Sequence, residues 1–362
     1  MANTDNIGQK QMTARRARGG SGRVKLEEVA ELAGVSTATV SRAFNKPEKV
    51  SETVRSRVME AANVLNWIPN AAGRALASSR THIVGAIIPT LDNEIFAHQI
   101  SGMQSVFAER GFTLFLGCSN YDPTEGLKQV QAMLARGVEA IAIVGENHPL
   151  ELFEALRSRK VPYVLTYSFR QGSPHPLIGF DNQAAFTEIV EHLLSLGHKR
   201  FAAIFQPNAN NDRVEARLNG IHAALTEAGM RMETGDVLIG ASTMEFGAKS
   251  FRQLMTRPVH LRPTAIICGN DNIALGALSA AKEMNLSAPK DFSITGFDDL
   301  TISSRLSPHL TTMSVDNQEI GVLAANELLS AISGEAAMPR SIQVKAYLKI
   351  RESTAKYCSL SL

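Results

Sequence analysis

The chain lacks the long apolar runs and clustered cysteines that would mark a membrane protein or a disulfide framework. A membrane-spanning helix needs about 18 or more consecutive apolar residues, and no such stretch occurs among the 362 residues. The basic N-terminus has no apolar segment, so no secretory signal is predicted. The three cysteines, Cys118, Cys268 and Cys358, are far apart and lack metal-ligand spacing. They indicate reduced thiols in a cytoplasmic protein.

Sequence motifs typical of enzymes are also missing. The glycine-rich segment 19–23 does not follow a strand, so it is no phosphate loop, and no G-x-S-x-G elbow occurs. Asp298 and Asp299 are adjacent, and in an extended chain their side chains would point apart. His192 and His198 have no partners at metal-ligand spacing. We therefore predict that the chain is not an enzyme and has no cofactor and no metal site.

The nearly neutral net charge of +2 hides an asymmetry along the chain. Residues 1–80 hold 13 Lys and Arg against 7 Asp and Glu, whereas the remainder holds 24 against 28. A basic head on a mildly acidic body indicates a polyanionic partner for the head alone.

The composition changes along the chain and predicts several segments. The first residues are too polar to pack, the next follow a helical pattern, and a connector precedes a long alternating region. In chain order we predict a disordered basic arm, a helix–turn–helix domain, a hinge helix with linker, a two-lobed core and a tail, at residues 1–23, 24–69, 70–81, 82–355 and 356–362.

The core alternates short apolar strands with amphipathic helices, a pattern typical of parallel sheets covered on both faces. Eight such strand–helix units are more than one open sheet usually holds. We therefore predict an α/β core of two doubly wound subdomains that share a cleft. The first lobe is predicted at about 82–180 and 313–340, and the second at about 181–312 and 341–355. Strands are predicted at 82–89, 112–118, 140–145, 161–167, 177–181, 200–206, 264–270 and 292–298, with a last core strand at 341–350. Helices are predicted at about 94–110, 124–136, 149–159, 182–196, 212–228, 243–256, 271–285 and 317–332.

The segment 26–45 has the pattern of a helix–turn–helix. Apolar residues at helical spacing give a first helix, Gly34 can end it, and Ser36 can cap a second helix. Val40 and Phe44 would face the first helix. A third helix at about 52–65, capped by Ser51, would close the small core. The second helix is therefore predicted to enter the major groove of DNA.

The run VAELAGVSTATVSRAFN and the connector WIPNAAGRALA resemble the LacI/GalR family of repressors, and this resemblance covers residues 24–355. It implies a periplasmic-binding-protein-like core behind the helix–turn–helix domain. The chain departs from the family pattern at Lys25, where a Thr or Ser cap is usual, at Glu28 and at Trp67. The departures at Lys25 and Glu28 would slightly weaken the start of the first helix without touching the reading face.

The predicted DNA contacts divide into base-reading and phosphate-binding residues. Arg42 can bond a guanine bidentately or clamp a phosphate. The resemblance assigns operator discrimination to Thr37 and Ala38, which are both small. In the connector, Leu76 can wedge into the minor groove, although it would alternatively pack on the core. The full predicted set is Ser36, Thr37, Ala38, Thr39, Ser41, Arg42, Asn45, Ser51, Asn70, Leu76 and Ala77. The hydroxyl residues among them also suit helix caps or solvated surface, and Arg42 a surface salt bridge.

Polar residues at strand ends predict a ligand site in the cleft, since ligands of such folds bind at the carboxyl ends of strands. Arg217 and Asp298 suit a carboxylate or sugar hydroxyls. Asp271 is equally suited to capping the helix that follows, and Asp298 could cap its own following segment. The predicted effector residues are Asn93, Phe96, Tyr167, Ser168, Arg217, Asn270, Asp271 and Asp298.

These features predict a DNA-binding transcription repressor that is controlled by a small effector. A homodimer is expected because a two-fold regulator reads a pseudo-palindromic operator. A tetramer is less expected, since no C-terminal heptad tail is visible. The loop 88–96 and the segment 179–182 resemble gluconate-type regulators, which implies a sugar acid paired with Arg217. The alternatives are a regulator that responds to a purine or another metabolite, and a sugar-binding protein without a DNA role.

Overall fold

The computed structural model describes residues 24–68 and 80–357. The chain divides into two compact units between Thr81 and His82. The predicted arm, the end of the tail from Cys358 onward, and Asn70, Leu76 and Ala77 lie outside the described residues. No helix of the described residues is long and apolar enough to cross a membrane.

The first unit is a small helical domain whose core is built from short aliphatic side chains. Val29, Val40 and Val58 are fully buried, one from each α-helix. Between the first two helices Gly34 adopts a left-handed conformation with φ of 65°, which ends the first helix at the turn. The helices are α1 (Leu26–Ala33), α2 (Thr37–Asn45), a 3₁₀ helix (Pro47–Lys49) and α3 (Glu52–Val64).

The first lobe of the second unit is a six-stranded parallel sheet. Its order is β11-β5-β4-β3-β1-β2, and β3 is buried along its whole length, as expected for a central strand between helical layers. The strands are β1 (Ile83–Ile88), β2 (Thr113–Cys118), β3 (Ala140–Val144), β4 (Tyr163–Thr166), β5 (Leu177–Gly179) and β11 (Ile342–Gln343). The helices of this lobe are α4 (Glu94–Glu109), α5 (Pro123–Ala135), α6 (Leu150–Ser158) and α11 (Asn317–Ser333).

The second lobe repeats this architecture with one antiparallel strand at its edge. Its order is β12-β10-β9-β8-β6-β7, and only the β10–β12 pair is antiparallel. The strands are β6 (Phe201–Phe205), β7 (Val237–Ile239), β8 (Ala265–Cys268), β9 (Ser293–Phe297), β10 (Thr311–Val315) and β12 (Ala346–Lys349). The helices are α7 (Asn182–Ser195), α8 (Asp212–Glu227), α9 (Met244–Met255) and α10 (Asp271–Glu283). The predicted α/β fold class is thereby confirmed.

The chain crosses between the lobes three times, and two crossings differ from the predicted boundaries. Strand β10 pairs with β9 in the second lobe, so the first lobe resumes with α11 and not at residue 313. The predicted last strand at 341–350 is two strands in different sheets: β11 pairs with β5, and β12 pairs with β10. The chain passes from the first sheet to the second between these two strands, so the segment 341–350 contributes one short strand to each lobe.

Candidate functional site: a DNA-reading helix and a cleft between two lobes

Helix α2 begins with the cap that the sequence predicts. The Ser36 hydroxyl accepts a hydrogen bond from the Thr39 backbone N–H at 3.2 Å, which satisfies one free amide of the first turn. Val40 and Ala43 are buried against the other helices, and Phe44 is half-buried with its ring edge-on to Trp67 at 5.3 Å.

The opposite side of α2 is open to solvent. Thr37, Ala38, Arg42 and Asn45 are exposed, whereas Thr39 and Ser41 are half-buried. The amide of Asn45 donates to the Ser41 hydroxyl at 3.2 Å, so these two side chains are held together along one edge. The exposed row is the surface that a major groove would meet.

Two details at the helix starts differ from the sequence prediction. Ser51 occupies the N-cap position of α3, but its side chain makes no cap hydrogen bond, so the predicted capping role is wrong. At the start of α1, the Lys25 backbone N–H donates to the Glu28 carboxylate at 3.4 Å. Glu28 therefore compensates in part for the missing Thr or Ser cap.

The second unit holds a polar cleft of about 420 Å³ between its two lobes. Of the eight predicted effector residues, six line it: Asn93, Phe96, Tyr167, Arg217, Asn270 and Asp298. Phe96 and Tyr167 form one wall, with their rings edge-on at 5.4 Å, and the Tyr167 hydroxyl donates to the Ile95 carbonyl at 2.9 Å. The aromatic pair is therefore held rigidly in the first lobe.

Asp298 brings a buried carboxyl group to the cleft from the end of β9. Burial raises its pKa to about 8, although the Arg217 guanidinium opposes this shift. Its backbone has φ of 107°, in a region that favours glycine, and such strain is concentrated at functional sites. No backbone amide of the described residues donates to its carboxylate, so the capping alternative for Asp298 receives no support.

Arg217 is almost fully buried and is held by neutral partners. Its Nε donates to the Asn182 side-chain oxygen at 2.8 Å, and one terminal nitrogen donates to the Gly269 carbonyl at 3.1 Å. The guanidinium carbon lies 3.9 Å from the centroid of the Phe297 ring. Burial lowers the pKa of Arg217 to about 10, so the group stays charged at neutral pH.

A second arginine, Arg213, lies one helical turn before Arg217 on α8 and also lines the cleft. One of its terminal nitrogens lies 3.3 Å from the Asp212 carboxylate. The same carboxylate accepts a hydrogen bond from Ser168 of the first lobe at 2.7 Å. Burial of Asp212 works against ionisation, but Arg213 and Ser168 outweigh it and lower the pKa of this carboxyl.

Two of the predicted effector residues do not line this cleft. Asp271 is fully buried, and its carboxylate accepts hydrogen bonds from Leu300 N–H at 2.8 Å and from the Ser303 and Thr312 hydroxyls at 2.6 Å. Burial raises its pKa to about 6. Asn270, not Asp271, caps α10 by accepting from Ile273 N–H at 3.0 Å. Asp271 thus braces the loop after Asp298, and Ser168 joins the lobes.

The structure adds cleft residues that the sequence reasoning missed. These are Ile95, Tyr121, Gln206, Asn211, Arg213, Val214 and Ser242. Several of them follow a strand directly or precede a helix, as Gln206 does after β6 and Asn211 before α8. This location next to a strand or helix end is the sequence feature that could have identified them. Within the described residues, no group of three or more His, Cys, Asp or Glu side chains could hold a metal ion.

Comparisons with known proteins agree with both units. A model of bacterial regulatory proteins of the lacI family matches residues 25–70, and a model of a periplasmic binding protein-like domain matches residues 190–354. The HTH-type transcriptional repressor CytR of Escherichia coli K12 is 31% identical over 91% of this chain and 96% of its own length. The ribose operon repressor of the same strain is 30% identical over 91% and 99%.

The fold agrees as well. The crystal structure of the lac repressor dimer bound to operator and the anti-inducer ONPF superimposes with a TM-score of 0.80 at 27% identity, over 92% of this chain and 99% of that one. The resemblance to the LacI/GalR family is confirmed, and so is the prediction of a transcriptional regulator. The chain belongs to the LacI family of DNA-binding transcriptional regulators.

Proposed function

We propose that this regulator is a dimeric repressor whose operator affinity is set by a small sugar or sugar acid bound in the cleft. The observation that carries the proposal is the convergence of Arg217, Asp298 and Asn270 on one cavity. These side chains offer a charged donor, a carboxyl group and an amide, the groups that orient hydroxylated ligands. The aromatic wall of Phe96 and Tyr167 supplies the apolar face.

Control of DNA binding follows from the place of the cleft. Its lining comes from both lobes, so a ligand that contacts both favours one arrangement of the lobes over another. The head reads operator DNA, and a dimer presents two heads to the two halves of a pseudo-palindromic site. Ligand and operator then act on the same equilibrium between lobe arrangements, so each changes the affinity of the protein for the other by the same factor.

Electrophoretic mobility shift with palindromic DNA tests the DNA-binding part. The full chain should shift the duplex with an affinity that falls steeply as salt rises. Arg42→Ala should cost about 1–3 kcal/mol of operator affinity and relax base preference at one position. Arg231→Ala, at an exposed arginine of the second unit, is the matched control. Equal affinity of the Arg42 variant and the natural chain would remove Arg42 from the reading surface.

The effector class is tested by calorimetry with sugars, sugar acids and purines, followed by the same mobility shift in the presence of each binder. The proposal expects a sugar or sugar acid to bind and to change operator affinity. Binding of a purine alone would replace the proposed effector class with the purine alternative.

A further inference from the structure

The cleft contains more positive charge than its own carboxylates neutralise. Arg213 is paired with Asp212, whose carboxyl is ionised because Arg213 and Ser168 lower its pKa. Arg217 is matched only by amide oxygen, carbonyl oxygen and ring faces among the described residues. Burial raises the pKa of the nearby Asp298 to about 8, which limits the negative charge that this carboxyl offers to Arg217 at neutral pH. A buried charge without a counter-charge is costly unless a partner arrives.

Arg213 and Arg217 also differ in which of their N–H groups are available to bind a ligand. Among the described residues, Arg217 donates hydrogen bonds from Nε to Asn182 and from one terminal nitrogen to the Gly269 carbonyl. Its second terminal nitrogen can therefore donate to a ligand. In the part of the chain that the structure describes, Arg213 contacts Asp212 through one terminal nitrogen only. Its Nε and the other terminal nitrogen form the edge of the guanidinium that can grip two oxygens at once.

The location of Arg213 supports this role. It lines the main cleft and also an adjoining cavity of about 300 Å³ that contains Tyr121, His148 and Asp212. Gly145 of the first lobe backs the guanidinium so closely that a Cβ there would lie 1.9 Å from its terminal nitrogen. The guanidinium is thus held between the lobes at the junction of the two cavities.

We infer that the effector carries an oxyanion, a carboxylate or a phosphate on a polyhydroxylated carbon chain, and that Arg213 binds this group with its two-nitrogen edge while Arg217 adds one N–H. This inference rests on the proposed function and narrows it. It also assigns the main contact with the oxyanion to Arg213, whereas the sequence analysis assigned it to Arg217. Asp298 and Asn270 then face the hydroxyl groups of the ligand.

The test compares charged ligands with their neutral counterparts on the full chain. The pairs are gluconate with sorbitol, glucuronate with glucose, and glucose 6-phosphate with glucose, at matched ionic strength. Binding is measured by calorimetry and by the thermal transition of the second unit. At least one acid should bind at least tenfold more tightly than its neutral partner. The acid that does so identifies the oxyanion as a carboxylate or a phosphate.

Three variants test which side chain binds the oxyanion. Arg213→Gln should abolish the preference for the acid over its neutral partner. Arg217→Lys keeps the charge but loses the fixed N–H that reaches the oxyanion, so it should reduce the preference for the acid only in part. Arg231→Gln, at an exposed arginine outside the cleft, should leave the preference unchanged. Circular dichroism of each variant confirms that it folds.

Two results would overturn the inference. One is the absence of any acid preference in the natural chain, whether neutral sugars bind equally well or no member of the panel binds. The other is an acid preference that Arg213→Gln retains in full. Neutral sugars that bind and alter operator affinity would leave the proposed function standing, whereas failure of the natural chain to shift operator DNA would refute that function separately.

Discussion

Three charged side chains, Arg213, Arg217 and Asp298, line the cleft and set the electrostatics that a ligand would meet there. Arg217 and Asp298 were predicted, and both line the cavity. Asp271 follows Asn270 directly, but one position along the chain decides which side chain caps the helix and which one turns into the core. Arg213 was missed because an arginine in the first turn of a surface-patterned helix resembles a solvated residue, and the sequence does not show that Gly145 of the first lobe packs against it.

Asp298 provides a prediction about pH. Its folded pKa of about 8 lies above the usual 3.8, so the folded chain binds a proton that the unfolded chain releases between these values. The contribution to stability is complete below about pH 4 and is lost as the pH rises toward 8. Asp298→Asn removes this loss, so the variant should be more stable than the natural chain above pH 8 by a few kcal/mol, at about 1.4 kcal/mol per pKa unit.

The measurement is the thermal transition of the second unit, followed by circular dichroism from about pH 5 to pH 9. The stability advantage of Asp298→Asn should be smallest at the acidic end and should grow as the pH rises toward 8. Asp92→Asn, at an exposed aspartate before α4, serves as control and should follow the natural chain. Parallel pH profiles for Asp298→Asn and the natural chain would show that Asp298 is ionised in the folded state.

At the scale of elements, apolar periodicity located all eight core helices and eight strands, but it missed β7 and β10. Strand β7 is a three-residue edge strand without a buried residue. Strand β10 begins with two threonines that are fully buried. Thr311 bonds Arg351 and Thr354, and Thr312 bonds Asp271. Polar residues are buried here because each hydroxyl has a partner, and a single sequence does not reveal those partners.

The helix caps of the first unit offer a matched pair of substitutions. Ser36 and Ser51 are both exposed and occupy N-cap positions, but only Ser36 accepts a backbone hydrogen bond. Ser36→Ala should therefore cost about 1 kcal/mol of stability, whereas Ser51→Ala should cost much less.

Fluorescence of Trp67 during urea unfolding measures this difference. Trp67 is the only tryptophan in the chain and packs against Phe44, so its signal reports on the first unit alone. Equal losses for the two variants would show that the cap bond of Ser36 contributes nothing beyond the position itself.

At the scale of the whole molecule, the two-lobed plan was predictable because it follows from the alternation of strands and helices. The details of the crossings were not, since they depend on which sheet edge offers free hydrogen-bonding groups. The hydrogen bond from Ser168 to Asp212 joins the lobes close to one crossing, where Phe169 N–H donates to the Phe180 carbonyl at 3.0 Å. Ser168 is therefore expected to influence the angle between the lobes.

Ser168→Ala removes a hydrogen bond to an ionised carboxylate, a class of interaction that contributes about 1.5–3 kcal/mol. The loss falls on the arrangement in which the lobes are joined, so the population should shift toward a wider opening of the second unit. Small-angle scattering should then give a larger radius of gyration, and the thermal transition of the second unit should fall. Ser158→Ala removes a bond within one helix only, from the hydroxyl to the Ala155 carbonyl at 3.1 Å, and should leave the scattering unchanged. If both variants scatter like the natural chain, the bond between Ser168 and Asp212 does not set the opening of the cleft, and the remaining contacts across it must do so.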